Sequence, residues 1–295
     1  MRTGRVGLAV TPWVVVLWAC GTAGCGDTNA AFERLARARQ LSADLLVRFT
    51  KAADASDRAV MADTDEASVR WATEAGQTKQ ALQTDVDALG PLLQQAGYAN
   101  ESGMLAEFSS RFGAFDDLDR RILELAVENS NLKAQRLSYG PAQDAADAIR
   151  DALSGLAAAS PEAERWHVQA LVGQVVTTVR EIQVLQAPHI AEADDAVMTR
   201  LEARMAASET GARQALSALA ALVAPPLRPR VVAATQALDQ FMRVNAQVIA
   251  LSRQNTNVRS LALSLKQKPA LATACEDPLR RLNDALARRM PVAVR

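Results

Sequence analysis

Aromatic residues make up only 4% of this 295-residue chain, and runs of β-branched and aromatic residues are missing. With 14 Gly and 11 Pro there are also few turn residues, which excludes most β-rich folds. Net charge is absent: 33 basic residues balance 33 acidic ones, which excludes a non-specific nucleic-acid binder, since that needs a basic surface. Cysteine and histidine are rare, at three and two. No Cys-x-x-Cys-His, no Gly-rich phosphate loop and no Gly-x-Ser-x-Gly occurs, so the sequence reads as non-catalytic, without cofactor or metal. Glu164/His167 and His189/Glu192 have the carboxylate–histidine spacing of di-iron bundles. They lie on one predicted helix, however, ~33 Å apart, and cannot share a metal. What is abundant is Ala, Leu, Arg, Glu, Asp and Gln at 49% hydrophobic overall, which is the composition of long helices around an aliphatic core.

The amino terminus reads as an address. Arg2 and Arg5 precede an apolar stretch from Leu8 to Ala19, followed by small residues and Cys25. The apolar stretch is short for a membrane span of ~20 residues. We therefore expect residues 1–24 to be a secretory signal; an uncleaved anchor is the alternative. Thr22-Ala23-Gly24-Cys25 resembles the lipobox of bacterial lipoproteins, although that box usually opens on an aliphatic residue where this chain has Thr22. The resemblance implies acylation of Cys25, a membrane-anchored lipoprotein, and a place in the periplasm or outer cell envelope. Cleavage would leave 31 basic against 33 acidic residues. Cys275 is then a lone thiol; without acylation, a Cys25–Cys275 bridge is the other option.

The body of the chain repeats. Residues 115–138 and 241–264 align at an offset of 126 without a gap, with Phe115/Phe241, Leu125/Leu251, Asn129/Asn255, Asn131/Asn257 and Ser138/Ser264 identical. The preceding arms align at an offset of 129, pairing Asp65 with Asp194. Breakers at 97–103, 159–162 and 224–229 predict four helices over 29–96, 102–157, 161–223 and 229–288, bent or interrupted near Pro91, Pro141, Pro188 and Pro269. The expected fold is all-α: an elongated, antiparallel, up-down four-helix bundle made of two repeated long hairpins, 25–158 and 159–290, with a tail at 291–295.

Steps of 3 and 4 through Phe115, Leu118, Ile122, Leu125, Asn129, Leu132, Arg136 and Tyr139, and through their repeats, predict a coiled-coil seam. Asn129 and Asn255 then form a polar layer at one height. Counting from the hairpin tips brings Asp65 and Asp194 near Lys133 and Arg259. Two readings follow. The Asn layer fixes register and the ion pairs satisfy each other; or these six residues line a polar pocket suited to a small organic acid or amino acid. Either way, replacing both Asn by Leu is expected to raise stability. The segment 277–290, with Leu279, Leu282 and Leu286 flanked by arginines, either closes the bundle or rests on an anionic membrane.

The stretches 59–68 and 128–134, on long antiparallel helices behind a secretory signal, resemble the four-helix-bundle ligand-binding region of methyl-accepting chemotaxis receptors and related sensor kinases. That resemblance implies an extracytoplasmic sensor, often a homodimer, that binds small molecules between helices. This chain carries no second membrane span and no cytoplasmic signalling module. The expectation is therefore a detached sensor bundle on a lipid tether, signalling through a membrane-embedded partner. A structural or adaptor lipoprotein that docks other proteins is the alternative.

Overall fold

The computed structural model describes residues 24–290. Residues 1–23 and 291–295 lie outside it, and so do nearly all of the proposed signal, the tail and the side chain of Cys25. Within the described residues the chain is helical throughout, with no strand. The helices are α1 (Gly24–Val60), α2 (Asp65–Gln95), α3 (Ala99–Glu128), α4 (Ser130–Leu137), α5 (Gln143–Leu153), α6 (Glu162–Ala191), α7 (Asp195–Leu222), α8 (Arg228–Gln254), α9 (Thr256–Lys266) and α10 (Lys268–Arg288). A single π turn, Ser138–Ala142, holds Pro141 between α4 and α5, and the α9–α10 break lies just before Pro269. A proline lacks the N–H for the ladder and crowds the preceding turn, so both breaks have a local cause.

The all-α class is as expected, but the arrangement differs. The arms 29–96 and 161–223 are not single helices. Each reverses, at 61–64 and at 192–194, because a strong N-cap starts a new helix there. The Thr64 hydroxyl accepts from Ala67 N, and the Asp194 carboxylate accepts from Ala196 N and Val197 N. Acids follow at once in the first turn, Asp65 and Glu66 in α2 and Asp195 in α7, complementing the helix dipole. α1 packs along α2, and α6 along α7, as antiparallel hairpins.

The result is two four-helix lobes that interlock. In the first lobe α1, α2 and α3 are closed by α9–α10; in the second α6, α7 and α8 are closed by α4–α5. The sequence halves 25–158 and 159–290 are thus not the packing units, since each supplies the fourth rod of the other's lobe. Two rods, α3–α4–α5 and α8–α9–α10, run through both lobes. The halves match at an offset of 126 in the rods and 130 in the hairpins, one more than the sequence alignment gave: Thr64 and Asp194 are the equivalent caps, and Asp65 corresponds to Asp195.

The cores follow this pseudo-twofold symmetry with different fillings. Phe49, Phe108, Phe112 and Phe115 form one aromatic cluster in the first lobe. The second lobe has Val179, Ala234, Leu238 and Phe241 at those positions. Leu279, Leu282 and Leu286 of α10 are buried in the first lobe, and Arg280, Arg281 and Arg289 pair with Glu276, Glu107 and Glu101. The 277–290 segment therefore closes the bundle. Cys275 is buried in the same core as Phe49. The Cys25–Cys275 bridge involves a side chain outside the described residues.

Candidate functional site

The two rods meet where the lobes meet. Asn129 and Asn255 are buried there, but not as members of a continuous seam. Both adopt the left-handed backbone, φ 52° ψ 38° and φ 55° ψ 36°, the only non-glycine residues with positive φ among the described residues. Asparagine tolerates this conformation better than other L-residues, because its short amide can hydrogen-bond locally. One left-handed residue breaks the helix and turns its face. Beyond Asn129 the buried positions become Ser130, Asn131, Ala134 and Ser138. The seam predicted through Leu132, Arg136 and Tyr139 ends at the asparagine, and Tyr139 stands exposed.

Breaking a helix creates new orphan N–H groups at the restart. Each rod satisfies those of the other. Ser130 N donates to Thr256 Oγ1 at 3.0 Å, and Thr256 N donates to Ser130 Oγ at 3.1 Å. Asn131 N donates to Asn257 Oδ1 and Asn257 N to Asn131 Oδ1, both at 3.1 Å. Asn131 Nδ2 donates to Asn255 Oδ1 and Asn257 Nδ2 to Asn129 Oδ1. The knot is symmetric, and it is also tied to the second hairpin: Asn131 Nδ2 reaches Ile190 O and Asn255 Nδ2 reaches Glu192 O. Symmetry fails at Asn129: its buried Nδ2 and the buried Oδ1 of Asp65 form no full hydrogen bond, although Asn129 is near enough to help lower the Asp65 carboxyl.

The six residues expected to line one pocket converge on this junction without forming one. Asn129 and Asn255 are parts of the knot. Asp65 pairs with Arg136 at 2.7 Å rather than with Lys133. The Arg136 hydrogen bond holds its carboxyl below the usual range against the opposing effect of burial, with help from the Arg136 charge, Asn129 and Lys133. Asp194 is an exposed cap, its carboxyl lowered by the backbone N–H groups of Val197 and Ala196. Lys133 pairs with Glu128, and Arg259 is exposed to solvent.

Each lobe also has a polar layer at the equivalent height. In the first it is ionic. Asp119 is fully buried, accepts from Ser56 Oγ at 2.5 Å and pairs with Lys79 at 2.9 Å and Lys268 at 3.5 Å. Lys268 also reaches Asp57 and Ala53 O, and Lys79 reaches Asp116. Burial pushes the Lys79 ammonium down, but the Asp119 charge and the bonds to Asp116 and Asp119 outweigh it and leave it above its ordinary value. In the second lobe Ser56, Asp119 and Lys268 are matched by the neutral Gln186, Asn245 and Ala142, while Lys79 is matched by Glu209, which pairs with Arg213. There Ser138 Oγ donates to Gln186 Oε1, and Gln186 Nε2 to Asn245 Oδ1. Nearby, His189 Nε2 lies 2.8 Å from Glu202, which also binds Arg253. Among the described residues no cluster of three His, Cys, Asp or Glu could hold a metal. Cys275 is buried and its thiol is pushed up to about 11 by desolvation, which disfavours the thiolate.

Sequence reasoning missed Ser130, Thr256, Asn131 and Asn257 as a capping unit, although all four fall in the repeat. It missed Asp119 and Lys268 entirely. Asp119 lies one residue past the seam position Leu118, where the period gives no sign of burial. Comparison with protein-family models, characterised proteins and solved structures finds no match for this chain.

Proposed function

We propose that the protein is a non-catalytic helical module of the cell envelope that responds to a small molecule and passes the response to a membrane-embedded partner. In this reading Cys25 carries a lipid tether and the chain works in the periplasm or outer envelope. One observation carries it: two rods run through both lobes and break at the same height with matched left-handed asparagines. A shift of either rod in one lobe must be accommodated in the other, through a junction with discrete hydrogen bonds rather than a soft core. The sequence likeness to chemotaxis-receptor sensor regions supports the same reading. So does the burial of Cys275, whose thiol is pushed up by desolvation.

The test is ligand-dependent melting of the purified protein against organic acids, amino acids and uncharged metabolites. A ligand at a hundredfold excess over Kd adds about 2.7 kcal/mol to stability and raises Tm. If no compound moves Tm, the sensing reading is overturned in favour of an adaptor. One observation favours that adaptor reading: Trp166, stacked on His167 at 4.5 Å, is 68% exposed at the start of α6. Exposed tryptophans anchor protein partners.

A further inference from the structure

A groove of about 390 Å³ opens on one side of the junction, and its walls come in pairs related by the pseudo-twofold. Val60 faces its equivalent Ile190 from the two hairpin turns, and Leu132 faces Val258 from the two rods. Asn131 and Asn257 contribute from the same rods, with their amides already engaged in the knot. Two large side chains border the groove with most of their surface in solvent, Met61 at 72% and Tyr139 at 67% exposed. Gln135 supplies an exposed amide at the edge. Among the described residues no charged side chain lines the groove.

We propose that this groove is the ligand site of the sensing function, and that it takes an uncharged small molecule. The ligand has a ring-bearing or branched apolar body and one hydrogen-bonding edge. The inference rests on the sensing reading and narrows it, since a carboxylate would find no cation here to replace its water. Apolar walls drive burial of the body, Gln135 and the Tyr139 hydroxyl orient the polar edge, and the Met61 thioether is flexible enough to close over it. A molecule seated there touches both hairpin turns and both rods at once. Binding therefore fixes the angle between the lobes.

The probe is N-phenyl-1-naphthylamine, an uncharged aromatic that fluoresces when buried. With the full chain, a saturable one-site enhancement is expected. Ala187→Trp fills the groove from an exposed wall position and should weaken the probe at least tenfold. Tyr139→Ala should weaken it severalfold, while Ala206→Trp, exposed on α7 outside the groove, should leave it unchanged. Small-angle scattering should narrow toward one lobe arrangement as the probe saturates. Absence of saturable binding, or binding indifferent to both Ala187→Trp and Tyr139→Ala, overturns the groove assignment. An organic acid that raises Tm equally in wild type and Ala187→Trp would overturn it too while sparing the sensing reading. No shift with any compound, the probe included, overturns both.

Discussion

Asn129 and Asn255, 126 positions apart, share one backbone conformation to within 3° and act on each other's helices through Asn257 and Asn131. Neither is a spectator amide in a coiled-coil layer. Each supplies the left-handed residue that lets a rod leave one lobe and enter the other, and its side-chain oxygen accepts from the opposite rod.

This reverses the expectation for Asn129→Leu with Asn255→Leu. Leucine in the left-handed region costs about 1–2 kcal/mol per site. The lost amide bonds add about 1 kcal/mol each. The double variant should therefore lose about 4 kcal/mol or more in urea denaturation. Asn→Gly at the same sites keeps the backbone permitted and should lose less. A double Leu variant as stable as wild type would show that the left-handed turns are not what holds the junction.

The reciprocal caps give a second expectation. Ser130→Ala and Thr256→Ala each remove a hydroxyl that accepts from the other rod's N–H, at a cost of about 1 kcal/mol. Because each hydroxyl also lies 3.2 Å from the other, the two losses should not add. A double-mutant cycle should give a coupling of at least about 0.5 kcal/mol. Strict additivity would mean that the two caps act independently.

Much of this architecture was legible in the sequence, and what was not has local causes. The rods, the tips and the duplication follow from hydrophobic steps and from the identity of Phe115/Phe241 and Asn129/Asn255. The reversals at 61–64 and 192–194 were not read, because Ala- and Asp-rich turns lack the Gly or Pro that marked the tips. Their signal was the caps, Thr64 three residues before Ala67 and Asp194 before a second acid. The register change after Asn129 was hidden because the 3–4 pattern formally continues through Leu132, which is only half-buried. Of the site, the convergence of the asparagines at one height was legible. Their partners were not, since a one-residue rotation of the helix face decides whether Asn131 or Leu132 points inward.

The depressed carboxyls set an acid limit. Asp65, Glu101 and Glu202 all sit below their ordinary values, held chiefly by hydrogen bonds from Arg136, Arg289 and Arg253. A lowered folded-state value means the stabilisation is complete above the unfolded value of 3.8–4.5 and is lost as pH falls through the folded one. Lys79 works in the opposite sense: its raised value stabilises below 10.5 and is lost as pH rises beyond it. Tm should be flat in these contributions from about pH 5 to 10. Glu101→Gln should make the acid limb shallower, because its Arg289 pair no longer titrates. An unchanged acid limb in that variant would mean the pair adds nothing.

Removing one cation from the ionic layer tests how that layer is balanced. Lys268→Met leaves Asp119 fully buried with only Lys79 and Ser56 for company, and leaves Ser264 as the remaining partner of Asp57. Because Lys79 still compensates Asp119 at 2.9 Å, the loss should fall below the about 3–5 kcal/mol of a buried pair broken outright. The second lobe meets the same geometric need with neutral groups, Asn245 at the position of Asp119 and Ala142 at that of Lys268. Asp119→Asn combined with Lys268→Met should therefore recover part of the loss, by copying the neutral character of Asn245 and Ala142 into the first lobe while Lys79 keeps Asp116. Chemical denaturation of the single and double variants decides it. A double variant no more stable than Lys268→Met alone would show that the charge of Asp119 is needed to hold Lys79, and that the two layers are not interchangeable.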